Sequence, residues 1–186
     1  MSRKGDDTRK MILESASELF AEKGFKDVSM SDICEKTGLS RGGLYRHYSS
    51  TSEIFREIIS GDESFDERIS KKDSAVSILK DSLDVLEDEI RHSESSLSLA
   101  IYEYASIGDN STEFIDLEKK AKKRWMKLIR YGIETGEFGE VNEEAIAEMI
   151  LYYYQGLRMW SRVVKMGRKP AKNFKENILE ILIGGK

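Results

Sequence analysis

Three helix starts and two glycine stops crowd into about thirty residues near the N-terminus, and they constrain this chain more than any other feature. In Val28-Ser29-Met30-Ser31-Asp32-Ile33, Ser29 fits an N-cap and Asp32 the third helical position, while Val28 and Ile33 can staple across the cap. Gly38 ends that helix with Leu39 behind it, and Ser40 at once opens another, Leu39 stapling to Leu44. A third start follows at Ser50, where Glu53 stands three residues on to complete a capping box. The link Thr37-Gly38-Leu39-Ser40 is thus a tight, glycine-containing turn between two short helices, the pattern of a helix-turn-helix. Upstream, Ile12, Ala16, Leu19 and Phe20 recur at helical spacing over 7–23, and Gly24-Phe25 reads as a left-handed stop with Phe25 folded back.

Beyond residue 60 the periodic segments lengthen. Breaks are expected at Gly61-Asp62, Lys71–Asp73 and Gly108–Ser111. Val76, Leu79, Leu83, Leu86 and Ile90 form one narrow apolar seam, which Leu97, Ala100, Ile101 and Tyr104 continue. A longer helix carries Phe114, Leu117, Ala121, Trp125, Leu128 and Ile129 and stops near Gly136–Gly139. Asn142 caps a strongly apolar helix reaching Val164, and Pro170, the single proline, opens a last one with Phe174, Ile178, Ile181 and Leu182. The pattern predicts an all-α fold. A three-helix helix-turn-helix domain spans 1–55, with a possible arm at 1–7, and a helical bundle spans 56–186.

Charge and composition narrow the class of function. The net charge is −4, but residues 1–48 hold nine Lys/Arg against eight Asp/Glu, leaving 21 against 26 for the rest. A near-neutral head on an acidic body keeps the body away from a polyanion while the head approaches it. The lone cysteine, Cys34, forms no disulfide framework and suits a reducing cytoplasm; beside Ile33 it fills a small apolar position rather than a redox site. The polar opening Met1–Lys10 is no signal peptide. The apolar run Met149–Trp160 is too short for a membrane span and is interrupted by Gln155 and Arg158. His47 and His92 have no ligand partners at metal spacing, so neither a metal nor a cofactor is expected.

Read as a rod over Arg41–Tyr48, the third helix turns Leu44 and Tyr48 inward, against Ile33 and Phe20. Its other side presents Gly42 and Arg46, flanked by Arg41 and Tyr45 and by Gly43 and His47. Arginine can bond guanine edges in the major groove, and tyrosine and histidine can reach phosphate oxygens. The pair Gly42-Gly43 costs about 1 kcal/mol of helix propensity per glycine relative to alanine, which makes sense where backbone must approach DNA closely. The amides near Ser40–Gly43 also suit a phosphate. For Arg3, Lys4, Arg9 and Lys10 two readings stand, a basic arm on DNA or a solvated terminus.

The motifs Thr8-Arg9-Lys10-x-Ile12-Leu13, Leu19-Phe20-x-x-Lys23-Gly24-Phe25, Ser29-Met30-x-Asp32-Ile33, Gly38-Leu39-Ser40-Arg41-Gly42-x-Leu44-Tyr45-x-His47-Tyr48 and Ser50-x-x-Glu53 resemble the N-terminal domain of TetR/AcrR-type regulators. The resemblance runs without a gap over about residues 8–55. It implies about nine helices and a two-fold dimer that binds a palindromic operator under the control of a small molecule. It also implies DNA contacts from Ser29, Ser40, Arg41, Gly42, Tyr45, Arg46 and His47, to which the rod adds Gly43. Two positions depart from the family pattern: Thr51 stands where a lysine is frequent, and Cys34 where alanine is usual. The rest of the chain is similar more loosely, through Gly136-Glu137-Phe138.

In the body, Tyr104, Trp125, Tyr153, Arg158 and Trp160 are the candidates for an effector cavity, with core packing the alternative for the aromatics. Tyr152, Tyr153 and Tyr154 are consecutive and cannot all point one way. Arg158 and Gln155, polar on an apolar helix, either orient a polar or anionic effector group or bridge a dimer seam. Gly156 suits a close helix crossing in a dimer built from about 142–166 and 171–184. No nucleophile elbow, phosphate loop or carboxylate pair marks an enzyme. The leading expectation is a ligand-released repressor. Its rivals are a helical ligand-binding protein without DNA activity and an enzyme using the C-terminal cavity.

Overall fold

The computed structural model describes residues 3–60, 65–92, 96–107, 111–164 and 166–184, and the secondary structure there is helical throughout. Ten helices follow in order among the described residues: α1 (Arg3–Lys23), α2 (Met30–Thr37), α3 (Arg41–Tyr45), α4 (Thr51–Ile59), α5 (Asp66–Ser70), α6 (Ala75–Arg91), α7 (Ser98–Ala105), α8 (Ser111–Glu134), α9 (Glu143–Val163) and α10 (Arg168–Ile183). The chain is all-α, as its apolar spacing predicts. The tenth helix is α5, whose five residues are too few to show a period. Helix α1 begins at Arg3, four residues before the start read from sequence. The breaks expected at Gly61-Asp62 and over 108–110 lie outside the described residues.

Contacts divide the chain into two compact units. The first comprises Met1–Asp62 and Glu94–Asn110, the second Glu63–Ser93 and Ser111–Lys186. In the first, Ile12, Ala16 and Phe20 of α1, Ile33 of α2, Leu44 of α3 and Ile54 and Phe55 of α4 are all fully buried. The rings of Phe20, Phe25, Phe55 and Tyr104 pack together, mostly edge-on, at centroid separations of 4.8 to 5.6 Å. Arg9 is no free arm residue. Its Nε donates to Glu57 at 2.7 Å and its guanidinium lies 5.1 Å from the centre of the Tyr48 ring, tying α1 to α4.

In the second unit, α6, α8, α9 and α10 enclose a core of Ile78, Leu79, Leu83, Leu128, Ile129, Ile150, Phe174, Ile178 and Leu182, with Trp125 edge-on to Phe65. Helix α8 ends at Glu134, Gly136 turns the chain at φ +71, and Phe138 folds back into the core behind it. Between them Glu137 reaches the start of α6, accepting from the N–H of Ala75 at 2.9 Å and of Val76 at 3.2 Å and from the Ser74 hydroxyl. Asn142 caps α9 through the Ala145 amide at 3.0 Å. No helix among the described residues is long and apolar enough to cross a membrane.

Leu44 is the only apolar anchor within the five residues of α3. Leu44→Ala should therefore cost about 2–5 kcal/mol and loosen the first unit. Urea unfolding followed by circular dichroism checks this, and a loss below that range would mean α3 is held from elsewhere.

Candidate nucleic-acid interface

The interface is assembled from caps. Ser29 stands extended before α2, its Oγ accepting from the Asp32 amide at 3.2 Å while its own N–H donates to the Asp32 carboxylate at 2.8 Å. This reciprocal box satisfies two amides that a helix start would otherwise leave open. Gly38 ends α2 at φ +70, and Ser40 caps α3 through the Gly43 amide at 3.1 Å. Ser50 caps α4 through the Glu53 amide at 3.2 Å. The return half of that third box differs from the sequence reading. The Glu53 carboxylate takes the N–H and hydroxyl of Ser49, both at 2.7 Å, rather than the N–H of Ser50. Those bonds hold the Glu53 carboxyl below its usual range.

Helix α3 is shorter than the rod over Arg41–Tyr48. It ends at Tyr45, and Arg46 and His47 form a turn in which the His47 and Tyr48 amides both return to the Leu44 carbonyl. One apolar turn still anchors the segment, since Leu44 and Tyr48 are buried while Arg41, Gly42, Tyr45 and Arg46 are exposed. His47 is half-buried. Arg41 reaches Ser31 Oγ at 3.1 Å and Arg46 Nε returns to the Gly42 carbonyl at 3.2 Å. Both are loose surface bonds that another acceptor can replace.

The two glycines separate. A Cβ on Gly43 would stand 3.3 Å from the Ser40 capping hydroxyl, so the cap itself favours glycine there. A Cβ on Gly42 would meet nothing within 4 Å, so no neighbour in the fold excludes a side chain at that position. The Gly43 amide is not available to a phosphate, because Ser40 already accepts it. The hydroxyl of Ser29 is likewise engaged with Asp32. Thr51 is the first residue of α4, half-buried, and Cys34 is half-buried on α2.

The body candidates do not share one setting. Tyr104 belongs to the first unit, buried among Phe25 and Phe55 with its hydroxyl accepting from Arg56 Nε at 2.7 Å. Trp125 is buried in the second core. Tyr153 lies edge-on to Phe174, and Trp160 is mostly exposed. Arg158 is buried, donating to the Tyr154 hydroxyl at 2.8 Å and lying 3.5 Å from Glu89. Burial, foremost, pushes the Tyr154 hydroxyl up from its ordinary value. Arg158 Nε is buried without an acceptor among the described residues. Gln155 and Gly156 face outward. A shallow groove of about 430 Å³ beside Lys123, Lys127 and Arg130 includes none of these candidates.

The chain is similar to known proteins. The family model described as bacterial regulatory proteins, tetR family, matches residues 12–58, which is α1 to α4. An HTH-type transcriptional regulator of Bacillus subtilis, YfiR, is 34% identical over 157 residues, covering 78% of this chain and 76% of that one. The HTH-type transcriptional repressor KstR2 of Rhodococcus jostii is 27% identical over 139 residues, covering 70% and 67%. A TetR transcription regulator from Haloarcula marismortui shares the fold at a TM-score of 0.71, 19% identical over 95% of this chain and 99% of that one.

The α2 cap makes the head acid-sensitive. Bonds from the Ser29 hydroxyl, then the Ser29 amide, draw the Asp32 carboxyl down to about 2. A depressed carboxyl contributes fully above the unfolded value near pH 3.9 and loses its contribution as pH falls through about 2. Asp32→Asn should be less stable at neutral pH and should lose less of its melting temperature than the parent across that window. Parallel melting curves for the two proteins would refute the cap.

Proposed function

The chain belongs to the TetR family of bacterial regulatory proteins, and from that premise we propose that it is a cytoplasmic transcriptional repressor that binds a palindromic operator as a dimer and is released by a small molecule. The observation that carries this is the outer face of α3, where Arg41, Tyr45 and Arg46 stand exposed on a segment anchored from behind by Leu44 and Tyr48. Arg41 and Arg46 read base edges or phosphates. Ser29, Ser40, Tyr45 and His47 approach the backbone, and Gly42, where the fold leaves open space, admits the duplex closely, with Gly43 beside it held by the Ser40 cap. Its relatives are named as regulators, and catalysis forms no part of the proposed role.

Dimerisation through α9 and α10 is supported by what these helices leave uncovered. Tyr153, Met159, Trp160 and Val163 of α9, Val164 just after it and Ile181 of α10 are large, apolar and exposed. Burying such a surface against a second copy is favourable, and a two-fold pair places two heads on inverted half-sites about 34–36 Å apart. For the effector, Arg158 is the strongest anchor, because a buried guanidinium with an unmet N–H favours an anionic group. Tyr153 and Trp160 are its nearest companions in sequence. Tyr104 and Trp125 serve primarily as packing in their own units.

Arg46→Ala should weaken binding to the DNA upstream of the protein's own gene by about 1–3 kcal/mol, with dimer and helix content unchanged. Fluorescence anisotropy at matched salt reads this, and equal affinities would remove Arg46 from the interface. Parent affinity should also fall steeply with rising salt as counterions are released.

Gly156→Glu adds a charge at a position open within the protomer and should convert the dimer to monomer without loss of helix. Light scattering that still reports a dimer would place the seam elsewhere.

A further inference from the structure

Helix α7 lies between α6 and α8 in sequence, yet its contacts place it in the first unit. Two neighbouring side chains account for that. Tyr104 is packed among Phe25 and Phe55 and bonded to Arg56 of α4. Glu103 points its carboxylate into the turn between α1 and α2, where Oε2 accepts the N–H of Phe25 at 2.7 Å and of Lys26 at 3.1 Å.

Consecutive amides converge on one oxygen where the chain turns through a left-handed residue, which makes a small anion-binding concavity. Gly24, at φ +83, supplies that turn. A Cβ there would stand 2.5 Å from the same Oε2, so glycine is required both for the helix stop and for the approach of the carboxylate. Four residues beyond Phe25 stands Ser29, the cap of α2, which is joined to α3 through the Gly38 turn.

From this geometry we infer that Glu103 is a positioning residue for DNA recognition: its carboxylate, seated on the Phe25 and Lys26 amides, sets the entry of α2 and with it the presentation of α3. The inference rests on the head binding DNA as proposed above. Glu103 touches no DNA itself. Its contribution is to hold still the chain turn from α1 into α2, beside the ion pairs Lys23–Asp32 and Lys36–Glu18 that also join the two helices.

The test uses the full-length protein and a duplex selected by the parent from a random pool. Glu103→Ala should bind that duplex about tenfold or more weakly, well below the melting temperature of either protein, with an unchanged salt slope because the phosphate contacts are the same. Glu103→Gln keeps an acceptor oxygen and should recover most of the affinity. Hydrogen exchange should speed at the Phe25 and Lys26 amides in the alanine variant. A purely stabilising role would lower the melting temperature and leave affinity in the folded protein untouched. Affinity within twofold of the parent, or unchanged protection of those two amides, overturns the inference. If the alanine variant does not fold, the glutamine variant decides: affinity between parent and a tenfold loss, with faster exchange at Phe25 and Lys26, supports the role, and parental values for both remove it. A parent that selects no duplex overturns the DNA reading and with it this role, while exchange still reports separately on whether the carboxylate holds the turn.

Discussion

Helices as short as α2, α3 and α4, with eight, five and nine residues, do not hold themselves together in water. An isolated helix needs about 12–15 residues before propagation outweighs the cost of its first turn. Each of these three therefore depends on two supports at once, a side chain that accepts the open amides of its first turn and an apolar residue driven into the α1 core. Ser29, Ser40 and Ser50 supply the first; Ile33, Leu44 and Ile54 with Phe55 supply the second. The outer surface of α3 is then free of structural duty, which is why Arg41, Tyr45 and Arg46 can be exposed without loosening the fold.

The same accounting of open amides recurs over longer distances. Glu137, in the turn after α8, accepts the first amides of α6, and Glu103, on α7, accepts two amides after α1. Each carboxylate stands beside an element it could not have joined by chain continuity. A charged acceptor makes stronger bonds than a neutral one, so these are joints that keep separate helices in register. In both places a left-handed glycine shapes a turn, Gly136 one residue before Glu137 and Gly24 directly before the two amides that Glu103 holds.

The second unit divides its surfaces differently. Its core is closed by Leu, Ile and Phe side chains from four helices, while α9 retains Trp160 and Val163, with Val164 just after it, outside that core. A helix apolar on two faces has one face for its own core and one for something else. Arg158 is the exception on the inner side, a charge drawn into the protein by Tyr154 and Glu89 and not fully satisfied by them.

Local signals carried most of the head. Caps act between residues three apart and helix stops between residues four or five apart, so Ser29, Gly38, Ser40 and Ser50 were legible from spacing alone, as was the inward pair Leu44 and Tyr48. The sequence by itself determined that this chain is all-helical, that it begins with a helix-turn-helix, and which residues of that motif face its core. Only the tertiary structure decided that Arg9 ties α1 to Glu57, that Glu103 seats on the Phe25 and Lys26 amides, and that α7 with Tyr104 belongs to the first unit. Those depend on partners up to 78 residues apart, and no local period encodes which distant carboxylate or ring will fill a given gap.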